Sequence, residues 1–359
     1  MSQASQTHDQ TRVVIVGGGP IGLEVAATMQ RAGVDYRVLE AKEVGHTMTW
    51  WAPQTKWFSS NERIAIAGMP LVTPDGSKAS REQYLAYLRG VVSALDLTVR
   101  TFEPVADIQR EEDGFVVHSQ TRGGPRETRC DAVVLAIGGT DFPSKLGVPG
   151  DDLPHVDGYL REPHSYFGRR VLIVGGRNSA IEAALRCHHA GADVALSYRG
   201  DELPEKSIKY WLLPEIKGLL KSERIAGHFG TEVKAITPTH VTLTGKDGET
   251  DVEADVVLSL IGYRQDKRLL RRAGVDLIGD GERPSYDEAT METNVPGLYV
   301  AGTAIAGTQS SKYSVYLENC HDHAQKILEH LGSSPSRTER DRRGMSDGLR
   351  RQIAAQPES

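Results

Sequence analysis

Two stretches of the chain carry the same order of hydrophobic and polar positions, roughly 155 residues apart. The first runs from Arg12 through Val13, Val14, Ile15 and Val16 into Gly17-Gly18-Gly19-Pro20-Ile21-Gly22, then from Leu23 to Ala32, and ends in Tyr36 to Glu40. The second runs from Arg170 through Val171, Leu172, Ile173 and Val174 into Gly175-Gly176-Arg177-Asn178-Ser179-Ala180, then from Ile181 to Ala190 and from Asp193 to Arg199. An unbroken apolar run of this length reads as a strand covered on both faces, and the segment after each glycine turn has the spacing of an amphipathic helix. Strand, turn, helix and second strand make a βαβ unit whose two strands lie parallel in one buried sheet. Three further apolar runs end on glycine: Asp131 to Gly139, Asp255 to Gly262 and Pro296 to Thr303. The pattern predicts an α/β protein with two Rossmann-like dinucleotide-binding domains.

The two turns differ in chemistry. Gly17, Gly19 and Gly22 fit G-x-G-x-x-G between a strand and a helix. The first glycine permits the tight turn, the second lets a pyrophosphate approach the backbone, and the third lets helix and strand pack closely. Pro20 counts with these glycines among the cofactor-binding residues, and the helix head presents N–H groups to phosphate. Glu40 ends the following strand, where a carboxylate accepts from ribose hydroxyls. In the second turn Arg177 and Ala180 replace the second and third glycines, and Arg199 stands where an NAD site has an acid. A guanidinium there suits a 2′-phosphate, and Lys206 and Lys209 follow within ten residues. The first turn is read as an FAD site and the second as an NADPH site that also uses Gly175, Asn178 and Ser179.

Composition narrows the class further. With 39% hydrophobic and 25% charged residues the chain is of ordinary globular make-up, and a net charge of −6 argues against nucleic acid as a partner. The first ten residues lack the apolar core of a signal peptide, and no run of about 18 apolar residues is present, so a cytoplasmic protein with no membrane span is expected. Three cysteines, Cys130, Cys187 and Cys320, form neither a disulfide framework nor a CxxC pair. His321 and His323 are two positions apart, which diverge on a helix, so no metal is expected.

Several segments together resemble the thioredoxin-reductase-like flavoproteins and, in detail, the bacillithiol disulfide reductase family. They are Gly17-Gly18-Gly19-Pro20, Phe58-Ser59-Ser60-Asn61-Glu62, Glu162 to Phe167, Val174 to Ala180, and the run from Tyr198-Arg199-Gly200 through Ser207-Ile208-Lys209 and Trp211 to Leu213-Pro214. The resemblance extends over about residues 12 to 330. It implies domains of the three-layer ββα type, with FAD, NADPH and a homodimer. It also implies that the NADPH domain (158–286) is inserted in a split FAD domain (1–157 and 287–332), with Gly138, Gly302 and Thr303 returning to the flavin. A tail of 333–359, rich in Ser, Pro, Asp and Arg, is expected to be disordered.

The chain departs from that family at the thiols. Thioredoxin reductases carry a CxxC in the NADPH domain, and no cysteine lies between Gly139 and Arg186. The bacillithiol family has a cysteine directly after GGGP, and Ile21 occupies that position. Isoleucine holds no mixed disulfide. Cys130 and Cys187 read as packing residues, whereas Cys320, near a helix start that would lower its pKa, is the thiol to test for a redox role. Trp50, Trp51, Trp57 and Phe58 crowd one segment, and Trp51 is the candidate to shield the flavin, with His46 and Gln54 as polar neighbours. The expected activity is hydride transfer from NADPH to FAD and onward to an acceptor that the residues do not name, a low-molecular-weight thiol or disulfide among them. Two alternatives stand beside it: a flavin-dependent monooxygenase, suggested by Asn178-Ser179-Ala180 and by His164-Ser165 ahead of Gly168-Arg169-Arg170-Val171, and a non-catalytic flavin-binding sensor.

Overall fold

The computed structural model describes residues 9–309 and 315–333. The expected tail of 333–359 lies outside them apart from Ser333, the last residue of the helix His323–Ser333. Contacts divide the chain into two compact units, one holding 1–48, 59–141 and 265–359, the other 49–58 and 142–264.

In the first unit the strand Val13–Val16 is fully buried and pairs in parallel with Tyr36–Leu39 on one side and Ala132–Leu135 on the other. Leu298–Val300 and Val99–Arg100 complete a five-stranded sheet in the order Leu298–Val300, Ala132–Leu135, Val13–Val16, Tyr36–Leu39, Val99–Arg100. The chain leaves Val13–Val16 toward one neighbour through the helix Pro20–Arg31 and reaches the other much later in sequence. The order therefore reverses beside the Gly17 turn, which is where open α/β sheets bind ligands. A four-stranded sheet of Asp9–Gln10, Gly124–Cys130, Gly114–Thr121 and Val105–Glu111 belongs to the same unit.

The second unit repeats the plan. Arg170–Val174 lies between Asp193–Tyr198 and Val256–Ser259, with Ala226–Phe229 and Val156–Asp157 at the edges. Alternation along one strand divides its core: Val171 and Ile173 face Ile181, Leu185 and Ile216 from helices, while Leu172 and Val174 face Val233, Val241 and Leu243 from an antiparallel sheet. Sheet, sheet and helix thus form the three expected layers. Among the described residues no helix is long and apolar enough to cross a membrane.

The unit boundaries fall at Phe142 and Gln265 instead of at Gly158 and Tyr286. Strand pairing explains the difference. Phe142–Pro143 pairs antiparallel with Tyr263–Arg264, and Val156–Asp157 adds to the sheet of the second unit. In the first unit, the Asp266 N–H donates to Asp141 Oδ2 (2.7 Å). Residues 49–58 join the second unit because Arg186 donates to Thr55 Oγ1 (2.7 Å) and to Pro53 O, and Trp50 packs on Tyr159 and Tyr263.

Sterics fix both glycine turns. A Cβ on Gly17, at φ +111°, would stand 2.4 Å from Ala136 O, and one on Gly22 would stand 2.0 Å from Gly17 O. Among the described residues nothing lies within 4 Å of that position on Gly19. Thermal unfolding of the cofactor-free protein is therefore expected to separate two single-methyl changes. Gly22→Ala should cost about 1–3 kcal/mol through overpacking, and Gly19→Ala should leave stability within about 0.5 kcal/mol. Equal effects would contradict this account of the turn.

Candidate functional site

The first turn is built around Glu40. Its carboxylate, 8% exposed, accepts from Gly18 N–H through Oε2 (2.6 Å) and from Lys42 N–H through Oε1 (2.8 Å). The residue expected to meet ribose thus also braces the glycine turn, with a further lone pair on each oxygen for a ligand. Gly17 N–H bonds Leu39 O (2.9 Å), and Gly45 N–H bonds Gly18 O (3.1 Å). No side chain caps Pro20–Arg31, and its first turn holds no acid, so the positive end of its dipole is open to an anion. The free space at Gly19 is the cradle that a pyrophosphate requires.

Two more loops converge on this edge of the sheet. Gly138, at φ +77°, follows Ala132–Leu135, and Gly302, at φ +70°, follows Leu298–Val300. A Cβ on Gly139 would stand 2.9 Å from Thr303 O, so the loops touch through backbone. Gln265, which the sequence did not single out, joins them: its Nε2 donates to Gly138 O (2.8 Å) and to Ala304 O (2.9 Å). His323 was considered in the sequence only as a metal ligand. Its Nδ1 accepts from Gly302 N–H (3.0 Å), while His321 turns to Glu24 Oε2 (2.8 Å) and Arg63 O (3.0 Å). Neither residue carries a sequence signature for these roles, because each depends on a loop brought in from elsewhere in the chain.

Ile21 is buried and packs on Gly302, 3.1 Å from where that glycine's Cβ would lie. The thiols are equally withdrawn. Cys130, Cys187 and Cys320 are free and buried. Burial pushes Cys130 far above the ordinary thiol value, and Cys187 and Cys320 up to about 12. For Cys320 this corrects the expectation of a lowered pKa. Its Sγ–H donates to Tyr316 O (3.2 Å), the helix begins only at His323, and Asp322, Glu318 and Glu24 add negative charge that opposes a thiolate.

In the second unit, a Cβ on Gly175 (φ +139°) would stand 2.6 Å from Leu260 O, and one on Gly176 would stand 2.4 Å from the Tyr198 ring. Arg177 and Ser179 are exposed at the head of the helix Asn178–His189, Arg199 is exposed just past Asp193–Tyr198, and Lys206 is exposed in the turn Glu205–Ser207. Asn178 Oδ1 accepts from Lys209 N–H (2.8 Å), which ties that lysine's backbone to the helix head. The Lys209 ammonium lies about 6 Å from the rings of Phe58 and Trp211. Trp51 meets Trp57 edge-on at 5.0 Å, also in this unit, and Gln54 is exposed there. His46, in the first unit, pairs with Glu43 (2.8 Å). The glycine cradles, the uncapped helix and the exposed cations fit two dinucleotides.

The histidine contact has a pH signature. Burial lowers His323 to about 4, and Nδ1 must stay unprotonated to accept from Gly302. The unfolded state binds a proton near pH 6.5 that the folded state refuses, so this contribution to stability is complete above that pH and lost as pH falls toward 4. The loss amounts to about 3 kcal/mol. His321 shifts upward because Arg63 O and Glu24 both accept from its ring, and it contributes with the opposite sign, so its stabilisation is lost as pH rises. Denaturant unfolding from pH 4 to 7 should show a shallower acid-side slope in His323→Gln than in the wild type, and an unchanged slope would contradict the assignment.

The comparisons agree with this architecture. The family model described as pyridine nucleotide-disulphide oxidoreductase matches residues 14–302. The bacilliredoxin reductase Bdr of Bacillus subtilis (strain 168) is 34% identical over 323 residues, covering 90% of this chain and 98% of that protein. The bacillithiol disulfide reductase of Bacillus cereus superposes with a TM-score of 0.85 at 34% identity, covering 90% of this chain and 99% of that one. A ferredoxin–NADP reductase of Ignicoccus hospitalis is 28% identical, covering 80% of this chain and 88% of that protein. The chain belongs to the pyridine nucleotide-disulphide oxidoreductase family, as a flavoprotein oxidoreductase working with FAD and NADPH.

Proposed function

We propose that this chain takes reducing equivalents from NADPH onto FAD and releases them from the flavin directly to one-electron acceptors, with no protein thiol in the path. The observation that carries the reading is the state of the sulfur. All three cysteines are buried with raised pKa values, and Ile21 stands where the resemblance to the bacillithiol family implies a cysteine. Disulfide exchange needs a thiolate attacking an S–S bond, and thiols held near 12 are almost wholly protonated at neutral pH. The likeness to a ferredoxin–NADP reductase supports an acceptor of the one-electron kind. A low-molecular-weight disulfide is the competing acceptor, supported by the printed names of the bacillithiol relatives.

In this reading Gly17, Gly19, Pro20, Gly22 and Glu40 hold the FAD pyrophosphate and ribose, and Gly138, Gly302 and Thr303 border the flavin. Gly175, Arg177, Asn178 and Ser179 hold the NADPH pyrophosphate, and Arg199 with Lys209 meets the 2′-phosphate. FAD, when bound, supplies the exchange between a two-electron donor and one-electron acceptors. The balance is one NADPH giving NADP⁺, a proton and two electrons for two acceptors. The working unit is a homodimer in the cytoplasm.

Steady-state turnover with NADPH tests this. The wild type should reduce ferricyanide or a ferredoxin and leave low-molecular-weight disulfides untouched, while Ile21→Cys should acquire disulfide reduction. Ready disulfide reduction by the wild type would overturn the direct route. Separately, Arg199→Glu should raise the KM for NADPH about 10- to 100-fold, the loss of one charge-assisted contact, and leave that for NADH within about threefold. An equal change for both nucleotides would remove Arg199 from the phosphate site.

A further inference from the structure

We infer that Gln265 is a positioning residue for FAD: its amide holds together the two loops that border the flavin. The inference rests on the reading of the first unit as the FAD site.

Gln265 is the residue at which the chain re-enters the first unit, and it is 5% exposed. Both of its short hydrogen bonds run from Nε2 to carbonyl oxygens, Gly138 O and Ala304 O. Two carbonyls require a donor, so the amide nitrogen is assigned by chemistry and Oε1 must face the other way. That oxygen is buried and has no hydrogen-bond partner among the described residues. The donating Nε2 sits between Gly138 and Ala304, beside the place where the sheet order reverses.

The same short segment holds the far end of the second loop. Lys267 is buried, and its Nζ donates to Thr308 Oγ1 (2.9 Å) and pairs with Glu282 Oε2 (3.0 Å). Thr308 N–H donates to Gly281 O (2.8 Å), and a Cβ on Gly307 would stand 2.5 Å from that same oxygen. Gln265 therefore holds Gly302–Ala306 at Ala304, and Lys267 holds the residues after it at Thr308. Gln265 is thus the point where the two loops are tied together.

Two variants test the assignment by FAD affinity, read from fluorescence quenching on cofactor-free protein, and by thermal midpoints with and without FAD. Gln265→Leu keeps the bulk and removes donor and acceptor. It should weaken FAD binding at least tenfold and shrink the rise in midpoint that FAD produces. Gln265→Glu keeps the shape but can donate only while protonated, and a buried carboxyl facing two carbonyls titrates above its usual range. Its FAD dissociation constant should rise at least tenfold between pH 5.5 and 8, against less than threefold for the wild type. This pH comparison is made within one folded protein, so it stands even where Gln265→Leu folds poorly. Variants that bind FAD within twofold of the wild type at both pH values would overturn the inference alone. A wild-type chain that takes up no FAD would overturn the underlying reading, and this inference with it.

Discussion

At each sheet reversal a glycine turn leaves one strand and passes against the carbonyl that ends the neighbouring strand, with no room for a side chain. Gly17 lies on Ala136 O, and Gly175 lies on Leu260 O in the same relation. Both glycines adopt positive φ, and both precede a helix whose head is free of acidic residues in its first turn. This constraint sets how closely helix, strand and loop approach, and so creates an edge where backbone N–H groups can face a phosphate. The remaining site residues are placed with respect to it. Glu40 braces the turn from the next strand, and Gly138 and Gly302 close in from the two strands on the other side.

The repeated constraint also shows where the units diverge. Gly22 in the first turn has no space for a methyl group, whereas Ala180 carries one at the matching position of the second. The first turn has open space at Gly19, and the second places an exposed arginine there. One geometry therefore supports two electrostatic environments. The first has a braced carboxylate, and the second has Arg177, Arg199 and Lys206 in solvent. That contrast is the physical basis for assigning different dinucleotides to the two units.

What the sequence reveals follows from this. Buried parallel strands read as unbroken apolar runs, and positive φ with excluded Cβ reads as glycine, so both turns and both sheets are legible residue by residue. Residues that act across long loops are not. Gln265 is 127 positions from Gly138, and His323 is 21 from Gly302, and nothing local marks either one. Cys320 misleads for the same reason: its place before a helix suggests a reactive thiol, while its burial, set by the surrounding chain, raises its pKa. The unit boundaries were hidden in two-residue strands at Phe142–Pro143 and Tyr263–Arg264, too short for any period to show.

The central claim is that the flavin is the sole redox centre between NADPH and the acceptor. A redox-active dithiol would hold two electrons beyond those of the flavin, and the buried cysteines here offer no such pair. An anaerobic reductive titration of the FAD-loaded protein measures this directly. The account predicts that full bleaching consumes two electrons per bound FAD, with no change in titratable thiols. Uptake of four electrons, with new thiols appearing, would contradict it.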